Sequence, residues 1–236
     1  MERSRSVERA RRRLPQAIVF DMDGTLLDTE RAYRDAFVAA VAAFGRDVPE
    51  DFYASLVGIS SRERGSYVLA QFGPEFPWQA CLQEYRARKA RLLAGPVRPK
   101  PGAAELLADL SSQEMPCAIA TSASRPTALA ALGQAGLLSA VTVIVTRDDV
   151  PAGKPDPAVF LRAAEALGAS PTCCIAVEDS PPGVIAAHAA GMSVVMVPDA
   201  LQPTAELRRR AIRVAADLLE VRVLLRCLRN VEGRLA

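Results

Sequence analysis

Residues 17–25, Ala-Ile-Val-Phe-Asp-Met-Asp-Gly-Thr, place two carboxylates directly after a strand-like apolar run. Asp21 and Asp23 are two positions apart, so in an extended segment their side chains lean to the same side. Neighbouring anions repel, and the pair costs stability unless a cation or a shared proton compensates. Such a pair suits a divided role, with one carboxylate as nucleophile and the other transferring a proton. An Asp-rich loop that only caps a helix is the alternative.

Other polar residues follow apolar runs in the same way. Thr121 follows Ala118-Ile119-Ala120, and Glu178-Asp179 follow Cys174-Ile175-Ala176-Val177. The carboxyl ends of parallel strands face one crevice, so these side chains are expected to meet there. Carboxylates and a hydroxyl, joined by the ammonium of Lys154, form a set suited to Mg²⁺ and a phosphoryl group.

Lysine is rare in this chain. It occurs only at Lys89, Lys100 and Lys154, while arginine supplies nearly all the positive charge. A compact ammonium fits between a carboxylate and a phosphoryl oxygen where a planar guanidinium does not, which favours a functional role for Lys154. Chance survival of one lysine is the alternative.

Strand-like and helical patterns alternate along most of the chain, which predicts an α/β fold with a doubly wound parallel sheet. A late edge strand over 213–219 and a terminal helix over 220–230 are also predicted. The strand candidates are 17–20, 116–120, 141–145, 173–177 and 193–197, and the helices between them are 103–110, 125–135, 157–167 and 182–190.

The stretch between Asp21 and Thr121 is far longer than one crossover needs, which indicates an insertion. Its helical patterns cover 32–44, 61–72 and 78–93. The predicted organisation is a disordered arm over 1–13, a core over 14–32 and 97–236, and a helical domain over 33–96.

Four motifs in this order and spacing resemble the haloacid-dehalogenase-like superfamily, in its phosphatase branch and closest to the beta-phosphoglucomutase-like group. They are Asp21-Met22-Asp23-Gly24-Thr25, Thr121-Ser122, Lys154-Pro155 and Glu178-Asp179-Ser180. The resemblance implies a Rossmann-like core with a small inserted α-helical cap that closes over the site.

The resemblance also implies roles for single residues. Asp21 would be the nucleophile that forms an aspartyl-phosphate, and Asp23 the general acid and base. Mg²⁺ would be held by Asp21, Asp179 and the backbone carbonyl of Asp23; Glu178 would bind it directly or through water, and both remain open. The implied phosphate- and substrate-binding residues are Asp23, Gly24, Thr121, Ser122, Lys154, Tyr33 and Arg62, although for Arg62 a solvated helix start is an equal alternative.

A phosphatase acting on a small phosphomonoester, such as a sugar phosphate, is the preferred function. A phosphomutase is the first alternative, but Tyr33 stands where beta-phosphoglucomutases carry a histidine. Asp23 argues against dehalogenase chemistry. A non-catalytic regulatory protein on the same fold is the second alternative.

Composition limits the partners. The net charge of +2 gives no strong attraction to nucleic acid or membranes, and no apolar run is long enough to span a bilayer. Five cysteines without a C-x-x-C pattern fit a reducing cytoplasm. The expected partner is a small phosphorylated metabolite, bound by a cytoplasmic monomer or weak homodimer.

Overall fold

A six-stranded parallel sheet forms the centre of the molecule in the computed structural model, which describes residues 15–57, 59 and 63–230. The strand order is β3-β2-β1-β4-β5-β6, with β1 between β2 and β4. The strands are β1 Ala17–Phe20, β2 Cys117–Ala120, β3 Val143–Val145, β4 Cys174–Glu178, β5 Ser193–Met196 and β6 Ala211–Val214.

Helices cover both faces of the sheet, which confirms the predicted fold class. They are α1 Glu30–Ala42, α2 Arg64–Phe72, α3 Trp78–Leu93, α4 Ala103–Ser112, α5 Arg125–Gln134, α6 Ala158–Ala166, α7 Pro181–Ala189, α8 Ala205–Arg210 and α9 Leu218–Asn230. Strand β1 is buried on both sides because Ile18 and Phe20 enter one apolar cluster and Ala17 and Val19 enter the other. Continuous apolar runs are what such a doubly covered sheet requires.

The predicted edge strand over 213–219 is correct only for residues 213 and 214 and wrong from residue 215 onward. Strand β6 ends at Val214, and helix α9 begins at Leu218. The Asp217 carboxylate accepts the backbone N–H of Glu220, and the Glu220 carboxylate accepts the N–H of Ala216. This reciprocal capping starts a helix where continuing apolar residues had suggested a strand.

The insertion between β1 and β2 contains α1, α2 and α3, with a short 3₁₀ turn at Tyr53–Leu56. Its apolar side chains form a cluster of their own, in which Phe37 packs against Tyr53 and Tyr85 with ring centroids 5.6 Å apart. Helix α1 begins three residues before the predicted boundary at residue 33. The division into two domains stays a prediction, and the predicted arm over 1–13 lies outside the described residues.

All five cysteines are free thiols, as their pattern predicted. Across the described residues, the helices are too short or too polar to span a bilayer.

Candidate active site

The carboxyl ends of β1, β2 and β4 bring the motif residues to one edge of the sheet. Asp21 follows β1 and Thr121 follows β2, while Glu178 ends β4 and Asp179 comes next. Between this edge and helices α1 and α3 lies a cavity of about 440 Å³. The sequence-predicted residues that line it are Asp21, Asp23, Tyr33, Thr121, Ser122 and Asp179.

Lys154 lies directly behind the nucleophile candidate. Its ammonium donates to Asp21 Oδ1 at 2.5 Å and to Glu178 Oε1 at 2.7 Å, and its side chain is 1% exposed. Burial alone lowers the pKa of Lys154, but the charges of Asp21 and Glu178 more than offset this and raise it above 10.5. Lys154 therefore stays charged and fixes one oxygen of Asp21.

Glu178 is held in place from its other side. Its Oε2 accepts the backbone N–H of Ser180 at 2.6 Å and the Ser180 hydroxyl at 3.0 Å. A Cβ on Gly183 would lie 1.5 Å from Glu178 Oε1, so only glycine leaves room for this carboxylate. Both Glu178 oxygens thus have partners, and Glu178 orients Lys154.

Asp21, Glu178 and Asp179 form an acidic cluster in which one oxygen from each lies within 4.8 Å of the others. Burial raises the pKa of Asp21 to about 7, although the Lys154 charge opposes this. Burial also raises the pKa of Asp179, and the charges of Glu178 and Asp21 add to the shift. Buried carboxylates that repel each other in this way fit a hard divalent cation with oxygen ligands.

Gly24 explains how Asp179 comes so close to the first motif. Its φ is +84°, and a Cβ there would lie 2.4 Å from Asp179 Oδ2. Thr25 donates its hydroxyl to the other oxygen, Asp179 Oδ1, at 3.1 Å. Gly24 therefore makes room for the Asp179 carboxylate. Gly24 and Lys154, both predicted to bind substrate or phosphate, do not line the cavity.

Asp23 and Thr121 face the cavity with defined orientations. The Thr29 hydroxyl donates to Asp23 Oδ1 at 2.8 Å, which leaves Oδ2 for another partner. Thr121 Oγ1 accepts the backbone N–H of Ala123 at 3.0 Å, so its own proton points elsewhere. Arg62 lies outside the described residues, and its predicted role stays a prediction.

A family model described as haloacid dehalogenase-like hydrolase matches residues 18–197. The chain belongs to this family. The match covers β1 to β5 and every residue of the acidic cluster, which confirms the sequence-based assignment.

Relatives of this hydrolase carry phosphatase names. The phosphorylated carbohydrates phosphatase of Thermotoga maritima is 31% identical over 75% of this chain and 82% of its own length. The validoxylamine A 7'-phosphate phosphatase of Streptomyces hygroscopicus subsp. limoneus is 33% identical over 86% of this chain and 94% of its own. The crystal structure of CbbY from Rhodobacter sphaeroides in complex with phosphate matches 88% of this chain and 96% of its own, with 27% identity and a TM-score of 0.73. The predicted enzyme class, a phosphoric monoester hydrolase, is confirmed.

The insertion supplies a wall of the cavity that the motifs did not reveal. Helix α1 contributes Glu30 beside the predicted Tyr33, and the other polar residues of this wall are Tyr53, Arg64, Tyr85, Arg86 and Lys89. Two signals in the sequence could have indicated them. Glu30 and Tyr33 are three positions apart on one helix face, and Lys89 is one of only three lysines.

Proposed function

We propose that this hydrolase is a Mg²⁺-dependent phosphatase that cleaves a small phosphomonoester, such as a sugar phosphate, through an aspartyl-phosphate on Asp21. The observation that carries this proposal is the Asp21 carboxylate at the sheet edge. Lys154 holds it by one oxygen, it is adjacent to Asp179, and it faces a cavity large enough for a small metabolite.

In the first step, Asp21 Oδ2 forms a bond to phosphorus while the bond from phosphorus to the leaving oxygen breaks. Lys154 engages Asp21 Oδ1 and so leaves Oδ2 as the attacking atom. Asp23 gives its proton to the leaving oxygen, so that an alcohol rather than an alkoxide departs. Thr29 fixes Asp23 through Oδ1, which orients Oδ2 toward the leaving group.

In the second step, Asp23 accepts a proton from a water molecule that attacks phosphorus. The bond from phosphorus to Asp21 breaks, which releases inorganic phosphate and restores the carboxylate. Thr121 and Ser122 line the cavity, and the Thr121 hydroxyl and the Ser122 backbone N–H would donate to the phosphoryl oxygens during both steps. Each group ends the cycle in the protonation state in which it began.

Asp21, Asp179 and the backbone carbonyl of Asp23 would hold the Mg²⁺ ion. When bound, the ion supplies positive charge that offsets the repulsion between the carboxylates and the phosphoryl oxygens. Glu178 would act through Lys154 and Ser180, because both of its oxygens already have these partners.

Tyr33 favours hydrolysis over phosphomutase activity. Tyr33 lines the cavity with Asp23, at the position where the resemblance places a histidine in beta-phosphoglucomutases. The names of the relatives, which include a phosphatase of phosphorylated carbohydrates, support the same choice.

A phosphate-release screen tests the proposal directly. With Mg²⁺, the protein should release inorganic phosphate from acetyl phosphate and from members of a sugar-phosphate panel. Removing divalent ions with EDTA should lower kcat at least 100-fold, because the acidic cluster then lacks its counter-charge. Added Mg²⁺ should restore the rate, and a rate that EDTA leaves unchanged would refute the metal requirement.

The two acidic residues of the last motif should differ in a Mg²⁺ titration. Asp179→Asn should raise the Mg²⁺ concentration needed for half-maximal rate at least tenfold, because a ligand is lost. Glu178→Gln should change this concentration less and lower kcat instead, because it disturbs Lys154. The opposite ranking would make Glu178 the direct ligand.

A further inference from the structure

Glu30 is a partly buried carboxylate on the cavity wall that the insertion forms, and the catalytic steps do not use it. The Tyr53 hydroxyl donates to Glu30 Oε2 over a long 3.3 Å. Burial raises the pKa of Glu30 to about 7, and the charge of Asp23 adds to this. Even a partly buried carboxylate is costly for folding unless cations or hydrogen-bond donors satisfy it, so a ligand that donates to Glu30 would be favourable.

The two cations of the wall whose charges act on Glu30, Arg64 and Lys89, are held by other groups. Arg64 Nη2 donates to the backbone carbonyls of Leu56 at 3.3 Å and Ile59 at 3.2 Å. The Lys89 ammonium lies 3.3 Å from the ring centroid of Tyr33. Within residues 15–57, 59 and 63–230, neither forms an ion pair with Glu30. Glu30 therefore keeps acceptor capacity toward the cavity.

A second observation points to a ligand at the same wall. The Tyr33 side chain is buried, with only 3% of the residue exposed, and its hydroxyl forms no hydrogen bond of normal geometry among the described residues, although the nearby Asp23 carboxylate adds to the burial that raises its pKa. An unsatisfied buried hydroxyl is unfavourable in the protein alone. A ligand that enters the cavity can bond to it, since Tyr33 lines the cavity together with Asp23 and Glu30.

We infer that Glu30 selects a neutral, polyhydroxylated leaving group and disfavours one that carries a second anionic group. Glu30 accepts a hydrogen bond from a hydroxyl of the leaving group, the Tyr33 hydroxyl bonds to another, and the Lys89 ammonium donates to a further oxygen. One polyol can bond at once to the Glu30 carboxylate, the Tyr33 hydroxyl and the Lys89 ammonium, which form no hydrogen bond or ion pair with one another among the described residues. A carboxylate or second phosphate in the same place would face Glu30 with like charge. This inference rests on the proposed function and names the substrate class within it.

Matched substrate pairs test this selectivity. In each pair, a terminal CH₂OH is replaced by a carboxylate: glucitol 6-phosphate against 6-phosphogluconate, glycerol 1-phosphate against 3-phosphoglycerate, and 2-hydroxyethyl phosphate against phosphoglycolate. At pH 8, where Glu30 is ionised, the wild type should show a kcat/KM at least tenfold higher for the neutral member of the longest pair. Glu30→Gln should reduce this ratio at least fivefold. Asp35→Asn, an exposed carboxylate change on the same helix, should leave it unchanged.

Tyr33→Phe separates ligand binding from a structural role. Because the hydroxyl has no hydrogen-bond partner of normal geometry among the described residues, its removal should leave Tm unchanged or raise it. The same change should lower kcat/KM at least fivefold for the neutral members of the pairs. A loss of Tm with no change in kcat/KM would show that the hydroxyl serves folding alone.

The outcomes separate the inference from the function on which it rests. If acetyl phosphate is hydrolysed but the ratio is at or below one in all three pairs, the inference falls and the phosphatase stands. The inference also falls if Glu30→Gln leaves the ratio unchanged, or if no member of any pair is hydrolysed while acetyl phosphate is. If no ester releases phosphate, the proposed function falls and the inference falls with it.

Discussion

Asp21→Asn should abolish phosphate release, with kcat lowered on the order of 10⁴-fold or more, as for nucleophiles that act as part of a catalytic unit. An amide oxygen is too weak a nucleophile to form the acyl-phosphate bond. Wild-type protein mixed with labelled substrate and quenched in acid should carry a phosphoryl group that hydroxylamine removes, and Asp21→Asn should carry none. Wild-type activity in the variant, or an equal label on it, would remove the nucleophile assignment.

The stability of the same variant would show whether its loss of activity comes from the missing nucleophile and not from unfolding. Burial raises the folded-state pKa of Asp21 from 3.8 to about 7, so the folded protein binds an extra proton between these values. Without a divalent ion, wild-type stability should therefore fall as the pH rises from about 4 to about 7. Asp21→Asn should remove the part of this slope that Asp21 contributes, while Asp179 and Glu30, whose pKa values are also raised, keep their parts. Its Tm in EDTA at pH 8 should be no lower than that of the wild type, as followed by circular dichroism.

The central sheet was predictable from sequence because its strands are buried on both faces. Such strands read as continuous apolar runs, and the predicted 17–20 coincides with β1 as observed. The edge of the sheet was less predictable. Strand β6 has exposed residues and no continuous run, and the helix start at Asp217 depends on capping by side chains. Helix α8, which the Thr204 hydroxyl caps, was missed because it is only six residues long.

The core site was predictable for a related reason. Its residues follow strand ends, and parallel strands bring their carboxyl ends together. The cavity wall formed by the insertion was not predictable, because the packing of helices against one another decides which side chains face the nucleophile. A cytoplasmic location and a monomeric or weakly dimeric state stay predictions.

The rarity of lysine pointed to the region of the active site at all three positions, although the sequence analysis used it only for Lys154. Lys89 lies on the wall of the cavity. Lys100 donates to Asp199 Oδ1 at 2.8 Å, and the other oxygen of Asp199 would lie 3.3 Å from a Cβ on Gly24. Lys154 therefore lies behind the nucleophile, Lys89 lies on the cavity wall, and Lys100 pairs with an aspartate close to Gly24 of the first motif.

Lys154→Met should damage both folding and catalysis. Its removal leaves the carboxylates of Asp21 and Glu178 buried without their cation, which costs about 3–5 kcal/mol of unfolding free energy for a broken buried pair. The folded-state pKa of Lys154 is raised, so its contribution to stability is fully present below pH 10.5 and is lost only as the pH rises through the folded value. Urea unfolding at pH 8 should therefore show the whole loss.

Lys100→Met is the matched control, because it removes a lysine from a more exposed pair with Asp199. In that pair the side chains are 19% and 22% exposed, and the loss of unfolding free energy should be about 1 kcal/mol or less.

Lys154→Arg keeps the charge but places a larger, planar group in a fully buried position, so its kcat/KM should still fall at least tenfold. Near-normal kcat/KM in Lys154→Arg would show that charge alone suffices there. Equal stability losses in Lys154→Met and Lys100→Met would show that burial does not make the ion pairs of Lys154 stronger than the pair of Lys100 with Asp199. The positioning of Asp21 by Lys154 would then need another explanation.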